Sequence, residues 1–225
     1  MTSEEYCNNV QEKDLLNKSL IPITPISENY SSLISLKDTD LNLIYEPSFM
    51  EGYNYLVRQE IVGKISRISQ ALEKQNKTLI IRSAWRSFLH QRKIWNNRLI
   101  ALEVEYPNKS VTEINTMIAR FVAPEEKSMH ATGGAVDALI FDKEINEVMD
   151  FGTNKGLNIK LNDQCYPYHP DIMPAQQKNR KLLIDLFENE DFVVDLKEYW
   201  HFDYGNVIWA IEKKKNKAIY GVIKY

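Results

Sequence analysis

With 225 residues, 44% of them hydrophobic and 26% charged, the chain has enough apolar side chains for a substantial core, which excludes fibrous and disordered classes. Its 28 basic and 31 acidic residues leave a net charge of −3, and with no basic run beyond Lys213-Lys214-Lys215 a nucleic-acid partner is not expected. No apolar stretch approaches the roughly 20 residues of a membrane span, Met1 to Cys7 lacks the basic start and apolar core of a signal peptide, and Cys7 and Cys165 make no disulfide framework. A cytoplasmic location without membrane attachment is the expectation.

Residues 1–20 are polar and read as a mobile segment, ahead of an extended, proline-punctuated arm, Ile21-Pro22-Ile23-Thr24-Pro25-Ile26. Residues 21–225 then read as a single domain. A helix is expected from Met50 to about Lys74, where Tyr55, Leu56, Ile61, Ile65 and Ile68 give a loose helical stripe. Thr78 to Trp85 reads as a strand and Ser87 to about Val104 as a helix. Ser110 and Glu113 have the spacing of a capping box, opening another helix to about Val122. A strand from Ala135 to Phe141 follows, then an irregular stretch around Tyr166-Pro167-Tyr168-His169-Pro170 and a helix from Pro174 to Glu188. Strands are expected near Phe192 to Asp195, Trp200 to Tyr204 and Tyr220 to Ile223. Helices and strands are unevenly mixed with no βαβ repeat, which is an α+β pattern.

Two segments carry chemistry: Ser128-Met129-His130-Ala131-Thr132-Gly133-Gly134-Ala135-Val136-Asp137 and Glu198-Tyr199-Trp200-His201. Together they offer two imidazoles, a carboxylate suited to ligation and a spare carboxylate, the inventory of a hydrolytic zinc site with an open coordination position. His130 falls on the turn before the Ala135 strand, and Gly133-Gly134 lets the chain fold back so that Asp137 projects beside it. An unpaired carboxylate in an apolar strand is costly, which itself asks for a cation partner. Glu198, three residues before His201, can share its side of the site as general base. Residues three apart on a regular strand point to opposite faces, so a turn or bulge is expected just before His201. His90 reads as packing or surface, and His169 lies in a proline-rich loop at unhelpful spacing.

Ser128 to Asp137 matches S-x-H-x-x-G-x-A-x-D and Glu198 to His201 matches E-x-W-H, so the chain resembles the D-alanyl-D-alanine metallopeptidases, most closely their dipeptidase branch. The resemblance continues in Gly52-Tyr53-Asn54-Tyr55-Leu56, Asn179-Arg180-Lys181-Leu182-Leu183, Trp200-His201-Phe202-Asp203-Tyr204-Gly205, Trp209-Ala210 and Ala218-Ile219-Tyr220-Gly221. It implies a central antiparallel sheet flanked by helices, with one zinc ion in a cleft over the sheet, held by His130, Asp137 and His201, and Glu198 as catalytic base. It further implies that Arg86, in Trp85-Arg86-Ser87, stabilises the oxyanion, with Arg82 as rival on the same strand face, and that Ser128 touches substrate or a ligand.

The implied activity is zinc-dependent hydrolysis of a small peptide, D-Ala-D-Ala. A cytoplasmic chain would meet that dipeptide, the building block of cell-wall precursors, rather than the wall itself. Two features depart from the dipeptidase pattern. Asp150-Phe151-Gly152-Thr153 is followed by Asn154-Lys155-Gly156-Leu157, where that branch places an acid for the substrate ammonium, and Arg86-Ser87-Phe88-Leu89-His90-Gln91 fits the R-S-x-x-x-Q of D,D-carboxypeptidases. A carboxypeptidase or related peptidoglycan peptidase is therefore the nearest alternative. A non-catalytic zinc-binding module is a more distant one.

Overall fold

The computed structural model describes residues 1–224. The chain opens with α1 (Ser3–Leu20), where Thr2 and Glu5 form a reciprocal capping box. Tyr6 and Val10, one turn apart, pack on Tyr166, while Lys13 and Asn17 both reach Glu212 at 2.7 Å. Residues 1–20, read from sequence as mobile, are thus a docked helix. Their polarity hid a cap and two apolar anchors, and such a helix is held by tertiary contact rather than by its own propensity.

Three short strands follow, β1 (Leu33–Ser35), β2 (Leu43–Tyr45) and β3 (Leu56–Arg58), before α2 (Gln59–Glu73). The helix expected from Met50 therefore begins only at Gln59. Tyr55 sits at a positive φ of 49°, which no helix tolerates, and Leu56 to Arg58 pair antiparallel with β1. The apolar stripe survives in Ile61, Ile65, Ile68 and Leu72, all buried, each stabilising the fold by roughly 1.5–3 kcal/mol.

Next come β4 (Lys77–Ser83), α3 (Phe88–Glu105) and α4 (Val111–Ile118), the last opened by the Ser110–Glu113 capping box. After these come β5 (Ala135–Asp142), the two-residue strands β6 (Glu147–Val148), β7 (Asn154–Lys155) and β8 (Asn158–Ile159), α5 (Pro174–Glu188), β9 (Val193–Val194), β10 (His201–Asp203) and α6 (Val207–Glu212). Tyr220 to Ile223 form no strand. Their backbone is spent singly, Tyr220 N–H on the Gly205 carbonyl at 2.9 Å and Ile223 N–H on that of Ala131 at 2.9 Å.

The central sheet runs β2-β4-β5-β10-β9, with β6 also on β5. It is mixed rather than purely antiparallel, because β2 and β4 are parallel. The passage through β3 and α2 supplies the long crossover that a parallel pair requires. Along β5, Val136, Ala138, Leu139 and Ile140 all lie in the main core, and Asp137 projects from the face opposite Val136 and Ala138.

Candidate metal centre

His130 lies on a 3-10 turn, Met129–Thr132, that ends at Gly133 in the left-handed region with φ 72°. Thr132 Oγ1 donates to the Met129 carbonyl at 2.7 Å and accepts from Gly134 N–H at 3.0 Å, which locks the turn onto the start of β5. A Cβ on Gly134 would come 2.3 Å from the Tyr204 carbonyl oxygen, so only glycine lets β5 and β10 approach here. In that pairing Asp137 stands opposite His201. The turn expected before His201 is present: His201 N–H donates to the Glu198 carbonyl at 3.1 Å.

One atom of each ligand candidate converges. His201 Nδ1 is 2.9 Å from Asp137 Oδ1 and 3.1 Å from His130 Nε2, and His130 Nε2 is 3.3 Å from Asp137 Oδ2. All three residues are buried, and they form a group able to hold a metal ion. Two imidazole nitrogens and a carboxylate, one atom of each within 4.8 Å of the others, are a donor set suited to a small divalent cation such as zinc.

The outward ring nitrogens support the same arrangement. His130 Nδ1 meets the Ala84 carbonyl at 2.7 Å; a carbonyl only accepts, so this nitrogen carries the proton and Nε2 is left with its lone pair toward the cluster. His201 Nε2 donates to Asp203 Oδ1 at 3.2 Å, and Asn206 Nδ2 donates to the same oxygen at 2.6 Å. Such outer partners fix ring orientation and raise ligand basicity.

Burial, with Arg86 nearby, pushes the His130 imidazole down to about 4. Burial alone would raise the Asp137 carboxyl, but His130 and Arg86 outweigh it and hold it well below the usual carboxylate range. For His201 burial is likewise outweighed, by Asp203 and Asp137, and its pKa lies well above the ordinary value. A metal binding at His201 would compete with this raised proton affinity.

Arg86 follows β4 and reaches into the cluster. One terminal nitrogen pairs with Asp137 Oδ2, Nε donates to Ser83 Oγ at 2.7 Å, and the other terminal nitrogen donates to Gln91 Oε1 at 3.3 Å. Its rival Arg82 is instead spent on the Glu46 carboxylate and the Leu157 carbonyl. Glu198 is half-buried, outside the ligand group but within the electrostatic reach of His201, Asp137 and Arg86; burial and neighbouring Asp195 push its carboxyl up to about 8. Ser128 is buried on the approach to His130, and its side chain makes no capping bond.

His90 packs edge-on against Phe49 and Tyr53, with centroids at 5.2 and 4.8 Å. His169 meets Tyr6 and accepts from Asp171 N–H. Neither enters the ligand group. Sequence reasoning gave no role to Asp203, which bonds His201, or to Ser83, which bonds Arg86. Asp203 had a signal, since residues two apart on a strand share a face.

The sequence model of VanY, D-alanyl-D-alanine carboxypeptidase, matches residues 54–207. The chain belongs to this family. The matched range contains Arg86, Ser128, His130, Asp137, Glu198 and His201 and leaves out α1. A D-alanyl-D-alanine dipeptidase of Escherichia coli (strain K12) is 34% identical over 76 residues, 34% of this chain and 37% of that relative. The match thus spans little more than a third of the relative's length. Among solved structures, a mutant of the vancomycin resistance D,D-pentapeptidase VanY from a VanB-type cassette, in complex with Zn(II), superposes with TM-score 0.50 at 14% identity, covering 86% of this chain and 90% of that one. VanYB in complex with D-alanine-D-alanine gives 0.51 at 15% identity, covering 84% and 87%. At these identities the likeness is one of VanY-type fold.

Proposed function

We propose that this VanY-family protein is a zinc-dependent D,D-peptidase that hydrolyses the D-alanyl-D-alanine dipeptide. The observation carrying this reading is the convergence of His130 Nε2, His201 Nδ1 and the Asp137 carboxylate, each histidine locked by a second hydrogen bond, with Glu198 left outside the ligand set.

His130, Asp137 and His201 would hold a divalent cation, which would supply Lewis acidity for activating a water near neutral pH and polarising a carbonyl. Glu198 accepts the proton of the attacking water and returns it to the departing D-alanine nitrogen. A bound cation nearby would favour the ionised form of Glu198, as a base at neutral pH requires. Arg86, held by Ser83 and Gln91, presents a fixed guanidinium to the developing oxyanion, where a preorganised donor is worth about 3–4 kcal/mol. Ser128, buried beside His130, is assigned to substrate contact.

A second reading, cleavage of longer peptides ending in D-Ala-D-Ala, is favoured by the carboxypeptidase family match and by the Arg86–Gln91 contact. Assaying free D-Ala-D-Ala beside a pentapeptide ending in it separates the two. Faster turnover of the dipeptide is expected, abolished by a chelator and restored by zinc. Turnover of the pentapeptide alone selects the second reading, and chelator-insensitive hydrolysis removes both. A cytoplasmic site of action is part of the proposal, and cell fractionation tests it.

A further inference from the structure

Arg86 and His130 are both tethered to the short exit from β4, and both tethers lead to one phenol. Ala84 N–H donates to the Tyr53 hydroxyl at 2.7 Å, and that hydroxyl lies 3.1 Å from Ser83 Oγ. Because it accepts from Ala84, its own proton is available to Ser83. Ser83 Oγ in turn accepts from Arg86 Nε at 2.7 Å, while the carbonyl of the same Ala84 accepts from His130 Nδ1–H at 2.7 Å. The Tyr53 hydroxyl thus stands one group away from the guanidinium on one branch and, on the other, one residue's backbone away from a candidate metal ligand, since the Ala84 N–H and carbonyl flank a single Cα.

The ring does not depend on that hydroxyl for its place. It packs edge-on against Tyr55 and His90 at 4.6 and 4.8 Å, and the Tyr53 carbonyl accepts from Lys37 Nζ at 3.1 Å. Tyr53 enters this position from a loop in which Gly52 and Tyr55 both take positive φ, 70° and 49°. These kinks turn the phenol inward, which explains why no periodicity in the sequence marks it.

We propose that Tyr53 is a positioning residue whose hydroxyl sets the Arg86 guanidinium through Ser83 and the His130 ring by fixing the backbone of Ala84. The kinetic part rests on the hydrolytic reading above, whereas the metal-binding part does not. Tyr53→Phe keeps the packed ring and removes only the two hydrogen bonds, and Ser83→Ala cuts the arginine branch alone.

The test measures zinc affinity by chelator competition, together with kcat and KM for D-Ala-D-Ala, in the 225-residue chain. Outer partners of metal ligands are worth about 10–100-fold in affinity or activity, and Tyr53→Phe is expected at the lower end, about tenfold weaker in zinc affinity. Its kcat should fall about tenfold with KM within about twofold, as for an interaction made only in the transition state. Ser83→Ala should lower kcat and weaken zinc less than Tyr53→Phe does, because it leaves the Ala84 branch intact while Arg86 still pairs with Asp137. Zinc affinity unmoved by Tyr53→Phe overturns the proposal, as does an effect confined to KM. If the wild-type chain binds zinc but cleaves no D,D-peptide, the functional reading fails while the zinc arm still decides the role of Tyr53.

Discussion

His130, Asp137 and His201 are each held from two sides, by one another and by Ala84, Arg86 or Asp203. Glu198 is placed differently: its backbone carbonyl closes the turn onto His201, and its carboxylate has no hydrogen-bond partner among the described residues. On the proposed reading the ligand side is held ready for a cation, and the base side is anchored only at its backbone, which leaves the carboxylate free to exchange a proton. Substitutions on the two sides should accordingly separate metal binding from turnover.

The largest effect is expected from His201→Ala, which leaves the buried carboxylates of Asp137 and Asp203 facing each other without the imidazole between them. Breaking a buried charge pair this way costs about 3–5 kcal/mol, so thermal melting should fall and zinc content, read by elemental analysis, should drop toward zero. Full zinc content would remove His201 from the ligand set. Next is Glu198→Gln, which should cut kcat by about 10²–10⁴-fold while zinc stays bound. A variant that loses metal would show that the two sides are not separable. Asp203→Ala should weaken zinc by about 10–100-fold without unfolding the chain, measured by chelator competition.

Protonation sharpens the contrast in the metal-free protein. His201 and Glu198 both have raised folded-state pKa values, the latter about 8. Stability from each group is fully present below its unfolded pKa, about 6.5 for His and 4.3 for Glu, and is lost as pH rises through the folded value. Metal-free protein should therefore melt lower at pH 9 than at pH 6, and Glu198→Gln should narrow that gap. An unchanged gap would mean that Glu198 is not desolvated as described. Zinc affinity should rise with pH as His201 yields its proton. The smallest effect is expected at the periphery, where α1 reaches the base side through the Asp14–Lys197 ion pair. Asp14→Ala should cost no more than about 1 kcal/mol by denaturant melting, and a larger loss would make α1 part of the site's support.

The ligand side was legible in sequence because its geometry is local. A turn closed by Gly133-Gly134 and a strand carrying Asp137 can be read from residue types, and the need to present Glu198 and His201 together forces the turn between them. The sheet edge was not legible. Strands β1, β2 and β3 are three residues each, too short for alternation to show, and β2 owes its parallel pairing with β4 to a crossover visible only in three dimensions. The start of α2 was misplaced because Tyr55 and Leu56 continue an apolar stripe that the positive φ of Tyr55 interrupts. Helix α1 escaped notice since its stability comes from Tyr166 and Glu212, far along the chain.

The most direct test of a single three-ligand centre driving hydrolysis is stepwise titration of zinc into metal-free protein while D-Ala-D-Ala cleavage is followed. Activity should rise from zero in proportion to added zinc and level off at one equivalent per chain. Hydrolysis before any zinc is added, or a protein saturated with zinc that still cleaves neither the dipeptide nor a pentapeptide ending in it, would contradict the account.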